Sequence, residues 1–271
     1  MRKISQTVLS LLILVSATST YMYAEKKALQ LSIFPYLTPA KIINHNKKLK
    51  DYLAKELNRP VSIITARNIK TYVKNVKKSS YDLLFTPSHV GRMGQLKAGY
   101  QPMAITKQFI QAYFIVKKDS TIKKLEETKN MTISMAPPMA IIHQIAVQDL
   151  KNVDIILGKN MKHYQTKGHT NAVISLLKGY SDLALSGVSM WRKLPPKYKN
   201  NLKILKKSTK IPGFLLMGNK NLKPELIAKI KELLLRFDKS QEGKGYLFKG
   251  YKAIDKNTMK SLDKYTKDLM K

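Results

Sequence analysis

Apolar positions along the chain follow two rhythms, and the switches between them predict alternating strands and helices. Leu29–Phe34 (LQLSIF) reads as a buried strand closed by Pro35. Pro39–Leu57 carries Ile42, Ile43, Leu49, Tyr52, Leu53 and Leu57 at helical spacing, and Asn58-Arg59-Pro60 ends it. Val61–Thr65 predicts a second strand. Ile69–Lys77 predicts a short helix with Tyr72, Val73 and Val76 inward, and Tyr81–Phe85 (YDLLF) a third strand. Such a β-α-β-α-β start implies a parallel sheet whose loops gather at the strands' C-terminal ends.

The pattern then restarts. Ala112–Val116 (AYFIV) reads as a strand, Ser120–Thr128 as a short helix or turn, and Met131–Met135 (MTISM) as a strand running into Ala136-Pro137-Pro138. Met139–Leu150 is an amphipathic helix, Val153–Leu157 a strand, Thr170–Lys178 a helix with Gly179 at C′, and Asp182–Leu185 (DLAL) a strand. Ile211–Met217 predicts a strand returning to the first unit. Pro224 opens a strong helix, and a last helix is expected near Lys256–Lys271. The expected organisation is lobe 1 from residues 25–111 plus 212–271 and lobe 2 from 112–211, after a leader at 1–24. Crossings near 112–118 and 209–217 suggest a hinged cleft that closes around a ligand. No internal repeat stands out.

Composition changes the picture through charge. The chain of 271 residues has 50 Lys+Arg against 17 Asp+Glu, a formal net charge of +33. Such a field favours anionic partners: small oxyanions, nucleic acid or an acidic surface. The absence of cysteine removes disulfides, thiol nucleophiles and Cys-ligated zinc. Arg2 and Lys3, then the apolar run Val8–Ala17, then small and polar residues to Ala24 have the form of a cleavable export signal. An uncleaved N-terminal anchor is the alternative. Export argues against nucleic acid as partner, and the lysines are spread along the chain rather than packed into one tail.

Catalytic signatures are missing. His45, His89, His143, His163 and His169 form no HExxH, and His163 and His169, six apart, match no standard metal spacing. There is no GxSxG and no P-loop. No enzyme activity, metal or cofactor is expected. Three loops instead place a helix N-terminus directly after a strand: Thr86-Pro87-Ser88-His89, Pro137-Pro138-Met139-Ala140 and His169-Thr170-Asn171. Free backbone N–H groups and the positive end of the dipole favour anions there, although Ser88, Thr170 and Asn171 also serve as ordinary N-caps.

The segments FPYLTP (Phe34–Pro39), SSYDLLFTPSHV (Ser79–Val90), GHTNAVISLLKGYSDLALS (Gly168–Ser186) and KSTKIPGFLL (Lys207–Leu216) carry a resemblance. Together they resemble the PhnD-like phosphate/phosphite/phosphonate-binding proteins of ABC importers, from about residue 29 to 265. The resemblance implies the α/β, two-lobed type II periplasmic-binding-protein fold with a hinged cleft. It implies ligand contacts from Tyr36 and Thr38 in the first loop and from Thr86, Pro87 and Ser88 in the next. In the Gly-His loop it implies His169, with Thr170 and Asn171 behind it. The acid at the start of the DLAL strand matches Asp182, which in aminophosphonate binders meets an ammonium group; Ser186 follows on the same strand. One departure stands out. Where the family has Ser-Thr-Ser-Gly, this chain has Ala136-Pro137-Pro138-Met139-Ala140. That leaves backbone N–H groups at Met139, Ala140 and Ile141 as donors, and Met139 as an apolar surface.

The expected function is a periplasmic solute-binding protein, a monomer that captures a small anionic ligand and delivers it to an inner-membrane ABC permease. A ligand-sensing module of the same fold, signalling to a membrane partner and binding a non-phosphonate ligand, is the alternative. An exported enzyme and a binder of acidic polymers or lipid rank behind both.

Overall fold

The computed structural model describes residues 27–270; the leader expected at residues 1–24 lies outside them. The chain begins β1 (Leu29–Ile33), α1 (Pro39–Glu56), β2 (Val61–Thr65), α2 (Ile69–Lys77), β3 (Leu83–Pro87), α3 (Ser88–Ala98) and β4 (Gln101–Thr106). It continues through β5 (Ala112–Lys117), β6 (Thr132–Met135), α4 (Ile141–Lys151), β7 (Lys162–Gln165), α5 (His169–Leu177) and β8 (Leu183–Gly187). Then come α6 (Val188–Lys193), α7 (Pro196–Lys199), β9 (Leu202–Lys207), β10 (Phe214–Gly218), α8 (Pro224–Arg236) and β11 (Tyr251–Lys252). Two short helices close it, α9 (Lys256–Lys260) and α10 (Lys267–Met270).

These elements form two sheets, ordered β11-β4-β10-β3-β1-β2 and β7-β6-β8-β5-β9. In the first, β1 runs parallel to β2 and β3, while β10 is antiparallel to β3 and β4. The second repeats this: β6 is parallel to β7 and β8, and β5 is antiparallel to β8 and β9. The repetition extends to numbering. α2 and α5, and likewise β3 and β8, start and end 100 residues apart. Ser79 (φ 57°) and Gly179 (φ 79°) make the same left-handed exit from the two helices. A repeat unmarked by obvious sequence identity is therefore present in the backbone.

Each sheet is covered on both faces because its strands are apolar on both. α1 and α8 bury Ile42, Leu49, Leu53, Ile230 and Leu233 against one face of the first sheet. Each such side chain contributes about 1.5–3 kcal/mol relative to exposure. On the other face, α2 and α3 share one continuous core with α4 and with Met259, Leu262, Tyr265 and Leu269 of the C-terminal segment. That segment braces both units. Asp263 accepts from Arg92 of α3 at 2.7 Å, and Asp268 accepts from Gln144 of α4 at 2.8 Å.

Two crossings join the sheets, residues 107–111 and 208–213. Ile110 and Ile211 exchange backbone hydrogen bonds of 3.0 and 2.9 Å. Gly213 is required here: a Cβ would sit 2.0 Å from the Gln108 carbonyl oxygen and 2.1 Å from Thr106 Oγ1.

The strand expected at Val153–Leu157 does not form. Asp154 (φ 55°) and Gly158 (φ 82°) turn the chain there, and the sheet edge is β7 instead. The expected C-terminal helix is broken into α9, a 3-10 turn and α10. Among the described residues no helix is long and apolar enough to cross a membrane.

Candidate functional site

Loops leaving β1, β3, β6 and β8 lie at the strands' C-terminal ends and lead into helices. In the first, Tyr36 is half-buried, its ring edge-on to Phe214 at 5.5 Å and Phe248 at 6.4 Å. Its hydroxyl is enclosed and lacks a hydrogen bond. Burial raises the phenol, and Asn46 nearby tempers the shift without reaching bonding geometry. Thr38 is exposed at the N-cap of α1, where its side chain makes no cap bond.

The β3–α3 loop is completely buried. Thr86 has no exposure, and its Oγ1, near the Tyr72 hydroxyl, reaches bonding geometry with no partner. Ser88 Oγ donates to the Pro212 carbonyl at 2.9 Å, so this hydroxyl holds the second crossing. Pro87, not Ser88, occupies the N-cap. His89 is also fully buried, with Nε2 3.1 Å from the Met139 carbonyl oxygen. A carbonyl only accepts, so Nε2 carries the proton and Nδ1 is a bare acceptor, which lacks a partner. Burial lowers the His89 pKa to about 4, the Met139 bond opposing it, so the ring is neutral at pH 7.

Across from it, Met139 is half-buried against the shared core, with its carbonyl taken by His89. Ala140 is the N-cap of α4, and its N–H donates to Pro137 O at 2.9 Å. It is therefore not the free donor expected. Among the described residues, the first-turn amides of Ile141, Ile142 and His143 make no hydrogen bond. Gly187, at the end of β8, lies against this turn: a Cβ there would sit 3.4 Å from Ile142 Cδ1.

His169 is the first residue of α5, with Nδ1 enclosed and unpartnered. Burial lowers its pKa to about 4. Thr166 Oγ1 bonds the Met135 and Gly168 carbonyls at 3.1 and 3.0 Å, which fixes the start of α5 beside the end of β6. Thr170 and Asn171 are exposed; Gly168 is the N-cap, so neither caps the helix.

Asp182 lies elsewhere. It precedes β8, at the end of the strand opposite the loop cluster. Its carboxylate accepts from Thr132 N–H at 2.8 Å, and its own N–H donates to Thr132 O at 2.9 Å. Asp82 does the same in the first sheet, accepting from Gln30 N–H at 2.9 Å. Both acids tie the starts of neighbouring parallel strands.

The repeat exposes a residue that the sequence reading left in the background. Asp82-Leu83-Leu84-Phe85-Thr86 and Asp182-Leu183-Ala184-Leu185-Ser186 are counterparts. Ser186 Oγ, like Thr86 Oγ1, is buried without a partner. The D-L-x-x-[ST] pattern at a spacing of 100 was the available signal. His89, which joins the two units, had none beyond its position in the loop. Among the described residues, no group of three or more acidic, His or Cys side chains is placed to hold a metal.

Residues 31–258 match the family model described as ABC transporter, phosphonate, periplasmic substrate-binding protein. Among solved structures, the chain is similar to PhnD1 from Prochlorococcus marinus in complex with methylphosphonate, at 16% identity and a TM-score of 0.78. That match covers 90% of this chain and 98% of the other. It is similar to a binding protein component of an ABC phosphonate transporter from Pseudomonas aeruginosa, at 16% identity, TM-score 0.72, covering 90% and 88%. The periplasmic aliphatic sulphonate binding protein SsuA from Escherichia coli matches at 11% identity, TM-score 0.65, covering 89% and 85%. The strand order and crossings are thus those of a type II periplasmic-binding protein, and with the family model spanning most of its length, the chain belongs to the periplasmic substrate-binding proteins of phosphonate ABC transporters.

Proposed function

We propose that this chain captures a small phosphorus oxyanion between two lobes, residues 25–111 plus 212–271 and 112–211, and presents it to a membrane permease. It acts as a monomer, exported by a leader at residues 1–24, and binds without turning its ligand over. The observation that carries this reading is the pair Thr86 and Ser186: one buried, unpartnered hydroxyl from each sheet, at equivalent positions near strand ends. Leaving such groups unmade costs about 1–3 kcal/mol each, a cost that ligand oxygens would offset. The open amides of Ile141, Ile142 and His143 add donors on the second lobe. The bare Nδ1 of His89 accepts only, because its Nε2 donates to Met139, and the enclosed Nδ1 of His169 also lacks a partner. They suit a ligand that also carries a proton, such as a hydrogen phosphonate.

The test is a calorimetric and thermal-shift panel of phosphate, phosphite, methylphosphonate, 2-aminoethylphosphonate and sulfate at fixed ionic strength. A true ligand at 100 times its Kd stabilises the fold by about 2.7 kcal/mol. Binding of one phosphorus oxyanion, weakened by Ser186→Ala, is the expected result. Silence across the panel would remove the proposal and favour a sensor with a different ligand.

A further inference from the structure

Every carbonyl of the loop entering α4 accepts a hydrogen bond. Ala136 O accepts from His143 Nδ1 at 2.9 Å, Pro137 O from the Ala140 N–H at 2.9 Å, and Pro138 O from Gln144 Nε2 at 2.7 Å. Met139 O accepts from His89 Nε2 at 3.1 Å, and Ala140 O from the Gln144 N–H at 3.2 Å. The amides that follow, those of Ile141, Ile142 and His143, are in the opposite condition and stay open among the described residues. At one helix start the acceptors are tied back and the donors are left free.

The sequence explains this asymmetry. A Ser or Thr at the N-cap accepts from the second or third amide of its helix and so occupies it. Ala140 has no such oxygen, which leaves those amides available. Pro137 and Pro138 supply no N–H, so this part of the loop is held through its carbonyls. The donors come from behind. Gln144 is 4% exposed, and its Nε2 meets both Pro138 O and Asp268 Oδ2, the latter at 2.8 Å. An amide nitrogen carries two hydrogens, so both bonds form together. Asp268, on α10, thereby fixes the plane of the amide that grips Pro138.

We propose that Gln144 is a positioning residue for the oxyanion site and that Asp268 acts through it. With its oxygen held by Gln144, the Pro138 carbonyl keeps its partial negative charge off the open amides of α4, where it would repel a bound anion. The assignment rests on the oxyanion reading above and adds to it the groups that order a loop lacking hydroxyls.

Gln144→Leu keeps similar volume and removes both donors. Asp268 is exposed, so Asp268→Ala breaks the same chain of bonds from the surface, and Asp268→Asn, which retains an acceptor oxygen, is the conservative rescue. Methylphosphonate affinity by calorimetry should fall about tenfold in Gln144→Leu and about threefold in Asp268→Ala, and recover in Asp268→Asn. Charge alone predicts the reverse for Asp268→Ala, since loss of a carboxylate favours an anion. Hydrogen exchange of the Ala140 amide, measured without ligand, should quicken in Gln144→Leu and Asp268→Ala but not in Asp268→Asn. Unchanged exchange in the first two variants, or quicker exchange with affinity intact, would overturn the assignment, as would a lower melting temperature as the sole effect. If the wild-type protein binds no oxyanion while Ala140 exchange still responds, the oxyanion reading fails and the hold of Gln144 on the loop is upheld.

Discussion

His89 Nε2 lies 3.1 Å from the carbonyl oxygen of Met139, and this hydrogen bond joins the start of α3 to the loop entering α4. It links the two sheets at the place where the family's serines and threonines are replaced by Ala136–Ala140. Substitution of His89 by Phe removes the donor and leaves the carbonyl facing an apolar ring. We expect a loss of about 1–2 kcal/mol in urea unfolding, with His89→Gln recovering part of it. An unchanged midpoint in both variants would show that the bond contributes nothing.

Acid should weaken the fold. His89 and His169 both titrate near pH 4 when folded, against a usual value of 6.5, chiefly because of burial. Below pH 6.5 the unfolded chain takes up protons that these two folded rings refuse, so their contribution falls as pH drops from 6.5 toward 4 and changes no further beneath that. Above pH 6.5 neither group contributes a slope. For His89 alone the full loss is on the order of 3 kcal/mol. Unfolding free energies measured at intervals from pH 7.5 to 4 check this, and the slope should be shallower in His89→Phe.

Thr86 and Ser186 separate binding from stability. Thr86→Val preserves shape and removes a buried hydroxyl that has no partner. The melting temperature should hold or rise, whereas methylphosphonate affinity should fall at least tenfold in this variant and in Ser186→Ala. A variant that melts earlier with affinity intact would make the hydroxyl a structural group.

Asp182 should behave in the opposite way. Its carboxylate secures the Thr132 amide at the far end of β8 from the loop cluster. Asp182→Ala should cost about 1 kcal/mol of stability and leave affinity unchanged, even for 2-aminoethylphosphonate. A selective loss of the amino ligand would return Asp182 to the binding site.

Gly213 tests the crossing. Its Cβ position is filled by the Gln108 carbonyl and the Thr106 hydroxyl. Gly213→Ala must therefore push the two crossings apart, at a cost of roughly 1–3 kcal/mol. Thermal unfolding measures that loss directly.

These relationships also show where sequence reading succeeds. The ranges read for β2 and α2 are those observed: α2 buries Tyr72, Val73 and Val76 on one face, and β2, an edge strand with only Val61 buried, is set off by Pro60. β7 escaped notice because it is an edge strand with three of its four residues exposed, so no alternation marks it. α3 was read only at its start, Ser88-His89, and not along its length, because Gly91 and Gly94 interrupt the apolar pattern. They are contact points instead: Cβ atoms there would lie 2.6 Å from Leu215 and 2.9 Å from Val76. The site follows the same logic. The placing of Tyr36 after β1, Thr86 near the end of β3 and His169 at the start of α5 was readable. Whether a hydroxyl is spare or committed was not, since Ser88 donates to Pro212, 124 residues away.

The strand order sets an order of assembly. The second sheet draws on one uninterrupted stretch, β5 to β9, and is complete once residue 207 has emerged. The first sheet is not. β10 lies between β3 and β4, so those strands keep bare edges until residues 214–218 arrive. Unpaired edges of apolar strands invite association with other chains. The part of the molecule synthesised first is therefore the last to close, and a chain ending before residue 214 would carry every strand of the second sheet, without the C-terminal brace on α4, beside a half-built first sheet with bare edges.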